Sequence, residues 1–386
     1  MSDKISLKGI TWNHSRGFTP MMATAQRFSE LNPSVEIIWE KRSLQAFADF
    51  SIQQLAEKFD LLVIDHPWAG FAAKTGSILP LDQYLPAVYL KDQEENTVGH
   101  SYESYSYDGH QWALPIDAAT PVAASRPDLL ERQGLQLPKS FEDLLNLADK
   151  GLVAFAGIPI DVLMNFYTFC CSLGEDPCQQ EDLIVSGETG IMALRMYREL
   201  ASKIHPDNFK RNPIQVYEAM TLTDAIAYCP FAYGYSNYSR AGYAPKLLHF
   251  HDMISLNGLN NLRSTLGGTG LAVSAVTEHT EMAVKYAAYV ASADCQCSLF
   301  FDNGGQPGHL NAWKDTEVNR RSNDFFANTL PALQRAFLRP RYHGHMFFQD
   351  HAGDIVREYL MNGGPEISVL KKLNSLYVES RSLQLS

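Results

Sequence analysis

Residues 267–309 read GGTGLAVSAVTEHTEMAVKYAAYVASADCQCSLFFDNGGQPGH, and their order decides the fold. Three glycines lead into the apolar run 271–276, which has strand length. Met282, Tyr286, Tyr289 and Val290 then recur at helical spacing, with Glu278 and Glu281 early enough to favour a helix N-terminus. A second glycine-rich turn follows and delivers Gln306 and Pro307. The GGTG run precedes a strand, whereas a phosphate loop follows a strand and opens a helix.

The N-terminal part repeats this alternation. Residues 5–12, ISLKGITW, read as a strand that stops at the polar loop Asn13-His14-Ser15-Arg16-Gly17-Phe18. A helix is predicted over 20–31, with proline suited to its first turn. A second strand is predicted over 35–39, a helix over 46–59 and a third strand over 60–65, DLLVID. This β-α-β-α-β succession predicts a parallel sheet, in which ligands gather beyond the carboxyl ends of the strands. The loops after Trp12 and Ile64 then share one rim and bring Asn13, His14, Arg16, Asp65, His66 and Trp68 to it.

The chain has 386 residues, too many for one ordinary core and enough for two lobes with a cleft between them. A hydrophobic share of 45% with 19% charged residues is globular. With 43 acidic against 32 basic residues and a net charge of -11, nucleic acid is excluded as a partner, and a membrane surface is disfavoured. No apolar run reaches spanning length, so membrane insertion is not expected, and residues 1–10 lack the basic start and apolar centre of a secretory signal. The six cysteines include one adjacent pair and one C-x-C, a spacing unlike that of a stapled secreted scaffold, which points to a reducing compartment. Zinc at Cys295 and Cys297 is the sharp alternative to core packing there.

The segment 267–309 resembles the late part of extracytoplasmic solute-binding proteins, the carbohydrate-binding receptors of ABC importers. The likeness extends to TGSILPLDQYL at 75–85. It is fullest over 108–151, DGHQWALPIDAATPVAASRPDLLERQGLQLPKSFEDLLNLADKG, which is similar to the family's crossover into the second lobe. The resemblance implies a two-lobed α/β fold of the periplasmic-binding-protein type II. Each lobe is expected to hold a mainly parallel sheet flanked by helices, with a ligand cleft at the hinge and closure on the ligand. The N-terminal lobe is expected to comprise 1–118 and 268–308, the C-terminal lobe 119–267 and 309–386. It also implies that Trp112, Pro115, Asp117 and Ala118 line hinge and cleft. The window 224–243, DAIAYCPFAYGYSNYSRAGY, matches a family position where an aromatic turn approaches the cleft. Tyrosine planes there suit stacking against sugar rings, although tyrosines also cover core surface.

The expected ligand residues are therefore Trp12, His14, Arg16, Asp65, His66, Trp68, Asp117, Tyr233, Tyr235, Gln306 and Arg341. Asp65 and Asp117 serve as hydroxyl acceptors, Arg16 and Gln306 as donors, and the tryptophans and tyrosines as stacking planes. In the segment RPRYHGHMFFQD, 339–350, Arg339 and Arg341 offer bidentate donors to a carboxylate or sulfonate, or pair with surface acids. The reading is capture of a polar small molecule, a carbohydrate first, with no catalytic residue, cofactor or metal. An ABC permease is the partner if the chain is exported, so the location is periplasmic or extracytoplasmic if a signal was removed and otherwise cytoplasmic. The alternative is a cytoplasmic enzyme or sensor on the same fold, acting on a sugar-like or acidic metabolite through His14, Asp65 and His66. These three, or His343, His345 and His351, also suit a divalent metal, and the tyrosines suit ferric iron. No G-x-S-x-G, H-E-x-x-H, Walker A loop or strand-borne G-x-G-x-x-G occurs.

Overall fold

A computed structural model describes residues 4–43, 52–256, 258 and 260–385. The chain divides into two compact units. One comprises Met1–Ala119, Gly267–Arg320 and Arg341–His343, the other Thr120–Leu266, Arg321–Pro340 and Gly344–Ser386. The expected boundaries placed 309–320 and 341–343 in the second lobe, and the structure places them in the first. The Thr97–His309 bridge explains part of this, as does the Trp313 indole, which donates to the Pro307 carbonyl at 2.7 Å. Ala119 and Gly267 also fall in the first unit because they pair across two of its strands.

The strands are β1 (Ile5–Trp12), β2 (Val35–Arg42), β3 (Leu61–Ile64), β4 (Ser106–Tyr107), β5 (His110–Gln111), β6 (Leu114–Ala119), β7 (Pro121–Ser125), β8 (Tyr228–Tyr233), β9 (His249–His251) and β10 (Gly267–Val273). In the first unit the sheet order is β2-β1-β3-β10-β6. β1 runs parallel to β2 and β3, as the sequence predicts, while β10 is antiparallel to both its neighbours. Both faces of this sheet are covered. Leu61 and Val63 join one core with Met21, Phe28 and Tyr286, and Leu62 and Ile64 join the other with Leu55, Ala72 and Tyr105. A strand buried on two sides loses the polar alternation of a surface strand, and this is why LLVI is apolar throughout. The expected helix over 46–59 is seen as Ile52–Ala56, and residues 46–51 lie outside the described residues.

The glycines of β10 serve packing within this sheet. A Cβ on Gly270 would lie 2.7 Å from the Tyr105 ring, and one on Gly268 would lie 2.3 Å from the Asp117 carbonyl. Gly268 also has φ +107, open to glycine at little cost. After β10 comes the expected helix, Thr280–Ala291, with Tyr286 and Val290 buried. The Tyr286 hydroxyl pairs with that of Thr24 at 2.8 Å and accepts from the Trp39 indole at 3.2 Å, so the helix is keyed to the sheet by polar contacts as well as by area.

The second unit departs from the expectation of a mainly parallel sheet. Its order is β8-β7-β9, and both outer strands run antiparallel to β7; the parallel contacts are isolated bridges, Val153 to Tyr228, Ser140 to Ser255 and Thr265 to Phe337. That expectation rests on the resemblance; the strand-helix alternation itself belongs to residues 5–64. Between β7 and β8 the chain instead forms successive helices, including Pro159–Ser172, Gly187–Ser202 and Pro213–Leu222. Gly353 lets the helix His345–Asn362 approach the first of these, since a Cβ there would lie 2.2 Å from the Pro159 carbonyl. KSFED, 139–143, has a serine with an acid three residues on, the pattern of a capping box, and that box is present at Ser140 and Asp143. Among the described residues no helix is long and apolar enough to cross a membrane.

Gly270→Ala should lower stability by about 1–3 kcal/mol through overpacking against Tyr105. Chemical denaturation checks this, and pairing it with Tyr105→Leu should recover much of the loss.

Candidate functional site

The carboxyl ends of β1, β2 and β3 form the rim that the parallel pattern predicts. Trp12 and Arg42 pair in register at the ends of β1 and β2, and the Asn13 amide donates to the Arg42 carbonyl at 2.8 Å. The chain then turns tightly, with the amides of Gly17 and Phe18 both donating to the His14 carbonyl. Gly17 is required here, because a Cβ would lie 2.4 Å from the Trp12 indole. Trp12 is buried against that glycine, which leaves it little surface as a stacking plane.

His14 and Arg16 are fixed by this turn. The His14 Nδ1 accepts the Arg16 amide at 2.9 Å, so in the neutral ring the proton sits on Nε2. Burial, reinforced by the Arg16 charge, lowers the His14 pKa to about 4 and keeps the imidazole neutral at ordinary pH. The Arg16 guanidinium meets the Asp117 carboxylate in a bidentate pair, Nε to Oδ2 at 2.7 Å and Nη2 to Oδ1 at 2.5 Å. Both side chains are buried, and Asp117 stands in β6. Burial pushes Asp117 up, opposed by Arg16 and by the Thr269 amide. The structure therefore gives the expected acceptor and the expected donor to each other.

Asp65 caps the short turn His66–Trp68, accepting the His66 amide at 2.8 Å, and the His66 Nδ1 lies 3.3 Å from the same oxygen. His66 is only 1% exposed and stands edge-on to Tyr105, so it is a layer beneath the rim. Asp65 keeps 28% of its side chain exposed. Trp68 is half-buried, edge-on to Phe71, which stacks on His343 at 5.2 Å. Gln306 is fully buried and donates to the Ala118 carbonyl at 2.8 Å, while the Ala118 amide donates to the Gln306 carbonyl. That side chain locks the 306–308 turn to β6. Arg341 donates to the carbonyls of Ser106, at 2.7 Å, and Glu103. The sequence offers it carboxylates, and the structure supplies backbone oxygens.

In the second unit the tyrosines separate by burial. Tyr228 and Tyr238 are core, with Tyr238 packed on Tyr217, whereas Tyr243 is exposed. Tyr233, at the end of β8, is half-buried, and its hydroxyl pairs with Thr265 at 2.8 Å. Tyr235 is buried beside Tyr217. Gly234 between them has no room for a Cβ, which would lie 2.9 Å from both Phe325 and Val122. Arg339 is likewise internal, bonded to Leu266 and Gln349.

Arg42 was not among the expected residues. It ends β2 on the same rim, half-buried, and burial lowers its pKa to about 10. Its signal in the sequence was the charged end of VEIIWEKR beside an already predicted strand end. The histidines at 343, 345 and 351 do not converge: His343 stacks on Phe71, His345 is buried and His351 bonds the Phe347 carbonyl. Among the described residues no group of three or more His, Cys, Asp or Glu is placed to hold a metal. The six cysteines are free thiols, and burial pushes Cys295 up to about 12.

A family model for bacterial extracellular solute-binding proteins matches residues 23–312. A maltotriose-binding protein of Pyrococcus abyssi (strain GE5 / Orsay) is 26% identical over 127 residues, 33% of this chain; the match spans about a quarter, 26%, of that relative's length. Among solved structures, the maltose-bound T. maritima MalE3 aligns with TM-score 0.84 at 17% identity, covering 98% of this chain and 100% of that one. An ABC transporter solute-binding protein from Agrobacterium radiobacter K84 in complex with ribitol aligns with TM-score 0.82 at 19% identity, covering 99% of each. At these identities the structural likeness establishes the two-lobed α/β fold.

Two outcomes follow from the rim. Arg16→Ala should cost about 3–5 kcal/mol by leaving Asp117 buried and unpaired, and Arg16→Met with Asp117→Leu should recover much of it in a denaturation cycle. Because His14 is depressed below its unfolded value, the unfolded chain binds the extra proton between about pH 6.5 and 4. Its contribution is present above pH 6.5 and is lost as pH falls toward 4. His14→Gln should flatten that part of the stability profile, and NMR should show no titration of the ring above pH 5.

Proposed function

The chain belongs to the bacterial extracellular solute-binding proteins, and from that premise we propose that it captures a polar small molecule, most strongly a carbohydrate, and presents it to an ABC importer outside the cytoplasm. The observation that carries the sugar reading is the composition of the rim on the first unit. It sets a neutral imidazole, a partly exposed carboxylate, a half-buried guanidinium and a half-buried indole at the ends of three adjacent parallel strands. Hydroxyl groups are both donors and acceptors, so a polyol is served by such a mixed set, and the indole covers the apolar face of a ring. The named ligands of similar proteins, maltose and ribitol, support the same class.

In this reading the direct contacts of the first unit are His14, Arg42, Asp65 and Trp68. Asp65 accepts from ligand hydroxyls, the His14 Nε2–H and Arg42 donate, and Trp68 stacks. Arg16, Asp117, His66 and Gln306 act one layer down, holding these groups in place, and Trp12 seats the turn that carries His14. Tyr233 is the proposed contact of the second unit. The mechanism is capture with no bond changed: binding exchanges water at the hydroxyls for oriented donors and acceptors, and the ligand leaves as it came.

A thermal-shift screen of the full chain against mono- and disaccharides, sugar alcohols and sugar acids should give a saturable rise in Tm with one class, since a ligand held only by the native state stabilises it. Asp65→Asn and Trp68→Ala should each weaken binding at least tenfold by calorimetry, with Tm of the free protein little changed. Chromatography of the recovered ligand should return it unaltered. A shift with divalent metal alone, or consumption of the sugar, would overturn the reading.

A further inference from the structure

A cluster of four buried polar side chains lies in the first unit, apart from the rim. Gln93, Thr97, Ser101 and His309 are each at most 6% exposed. Five of their polar atoms, Gln93 Oε1 and Nε2, Thr97 Oγ1, Ser101 Oγ and His309 Nε2, have no hydrogen-bond partner in the protein. The backbone brings them together. Gln93 and Thr97 are one turn apart at the end of the helix Ala87–Asn96, and the Thr97 amide donates to the Gln93 carbonyl. Thr97 bridges His309 across a two-residue antiparallel contact, the Val98 amide donates to the Gly308 carbonyl, and the Ser101 amide returns to Val98.

The protonation pattern is set by a further bond. The Asn311 amide donates to the His309 Nδ1 at 3.3 Å, which leaves the ring proton on Nε2. The cluster therefore offers His309 Nε2–H and the Gln93 amide as donors, the Gln93 oxygen as acceptor and two hydroxyls that serve as either. Burying such groups without partners forfeits their hydration with nothing in return. No ionised group belongs to the set, and a donor N–H faces any cation unfavourably. Water, with two donors and two acceptors, matches the inventory and is the usual occupant of buried polar sites of this kind.

We propose that Gln93, Thr97, Ser101 and His309 enclose an internal water that pins the 306–309 turn to the helix Ala87–Asn96. The turn is the element that delivers Gln306 and Pro307 to β6, where Pro307 bridges Asp117. The water therefore holds, at one remove, the strand that carries the partner of Arg16. Nothing in the inference depends on the ligand being a sugar.

Crystallography and amide exchange of the full chain test this together. Electron density should show a water within hydrogen-bond distance of at least three of the five atoms. Gln93→Leu should speed exchange of the Val98 and Gly308 amides at least tenfold, while the amide of Leu271 in β10 stays as slow as before. Should that variant fold poorly, Thr97→Val, which keeps the shape and removes one hydroxyl, should give the same pattern more weakly. Four side chains bonded directly to one another, a metal ion in place of water, or unchanged exchange at Gly308 would each overturn the inference.

Discussion

The Arg16–Asp117 pair is the constraint around which the first unit is arranged. It joins residues 101 apart in sequence, one in the loop after β1 and one in β6, with β3 and β10 lying between those strands in the sheet. Two charges taken out of water repay the cost only when geometry and additional hydrogen bonds are good. Here the guanidinium is met by both carboxylate oxygens, and the Thr269 amide adds a third donor to Asp117. The neighbouring backbone is shaped accordingly. Thr269 is the last residue before the register shift between β10 and β6, and Gly268 comes so close to β6 that a side chain there is excluded.

The pair also sets the electrostatics of the rim. Burial opposes protonation of the His14 imidazole, and the guanidinium held beside it acts in the same direction, so this histidine is a neutral donor rather than a cation. The negative charge of Asp117 is met internally, while Asp65, after β3, keeps part of its side chain in solvent. A surface made this way presents directional donors and acceptors with modest net charge. That suits recognition of neutral hydroxylic molecules better than recognition of strong ions, which call for unpaired charge.

What was legible in the sequence follows physical range. Local patterns carried through: the LLVI of DLLVID is buried on both faces, the helix after GGTGLAVSAV forms, and the Ser140 capping box closes. The rim itself was legible, because strand ends in a parallel sheet have a fixed place. Pairing over long separations was not. Nothing in ITWNHSRG or LPIDAAT states that Arg16 and Asp117 neutralise one another, and each alone reads as a free ligand group. The tyrosine cluster shows the same limit: five similar residues in one window include core packing at Tyr228 and Tyr238, exposure at Tyr243 and a hydroxyl pair at Tyr233. The antiparallel sheet of the second unit was missed because β7 and β8 are separated by a long helical excursion and β9 is only three residues long.

Several residues that read as ligand groups bond to backbone or to one another instead, and in the proposed reading they are supports for one reason. A side chain that touches ligand must be held in place before the ligand arrives, and the groups that hold it are themselves polar, because they bond to backbone and to the contact residues. His66 beneath Asp65, Gln306 against Ala118 and Arg341 on the Ser106 carbonyl are all of this kind. Polar residue type near a strand end therefore marks the neighbourhood of a site more reliably than it marks the contact. Burial then separates the two: Asp65 keeps part of its side chain in solvent, whereas Arg16 and Asp117 are buried against one another, His66 lies beneath Asp65 and Gln306 is buried on the Ala118 carbonyl. The Gln93–His309 cluster extends this logic one step further from the rim, to the turn that keeps β6, and with it Asp117, in register.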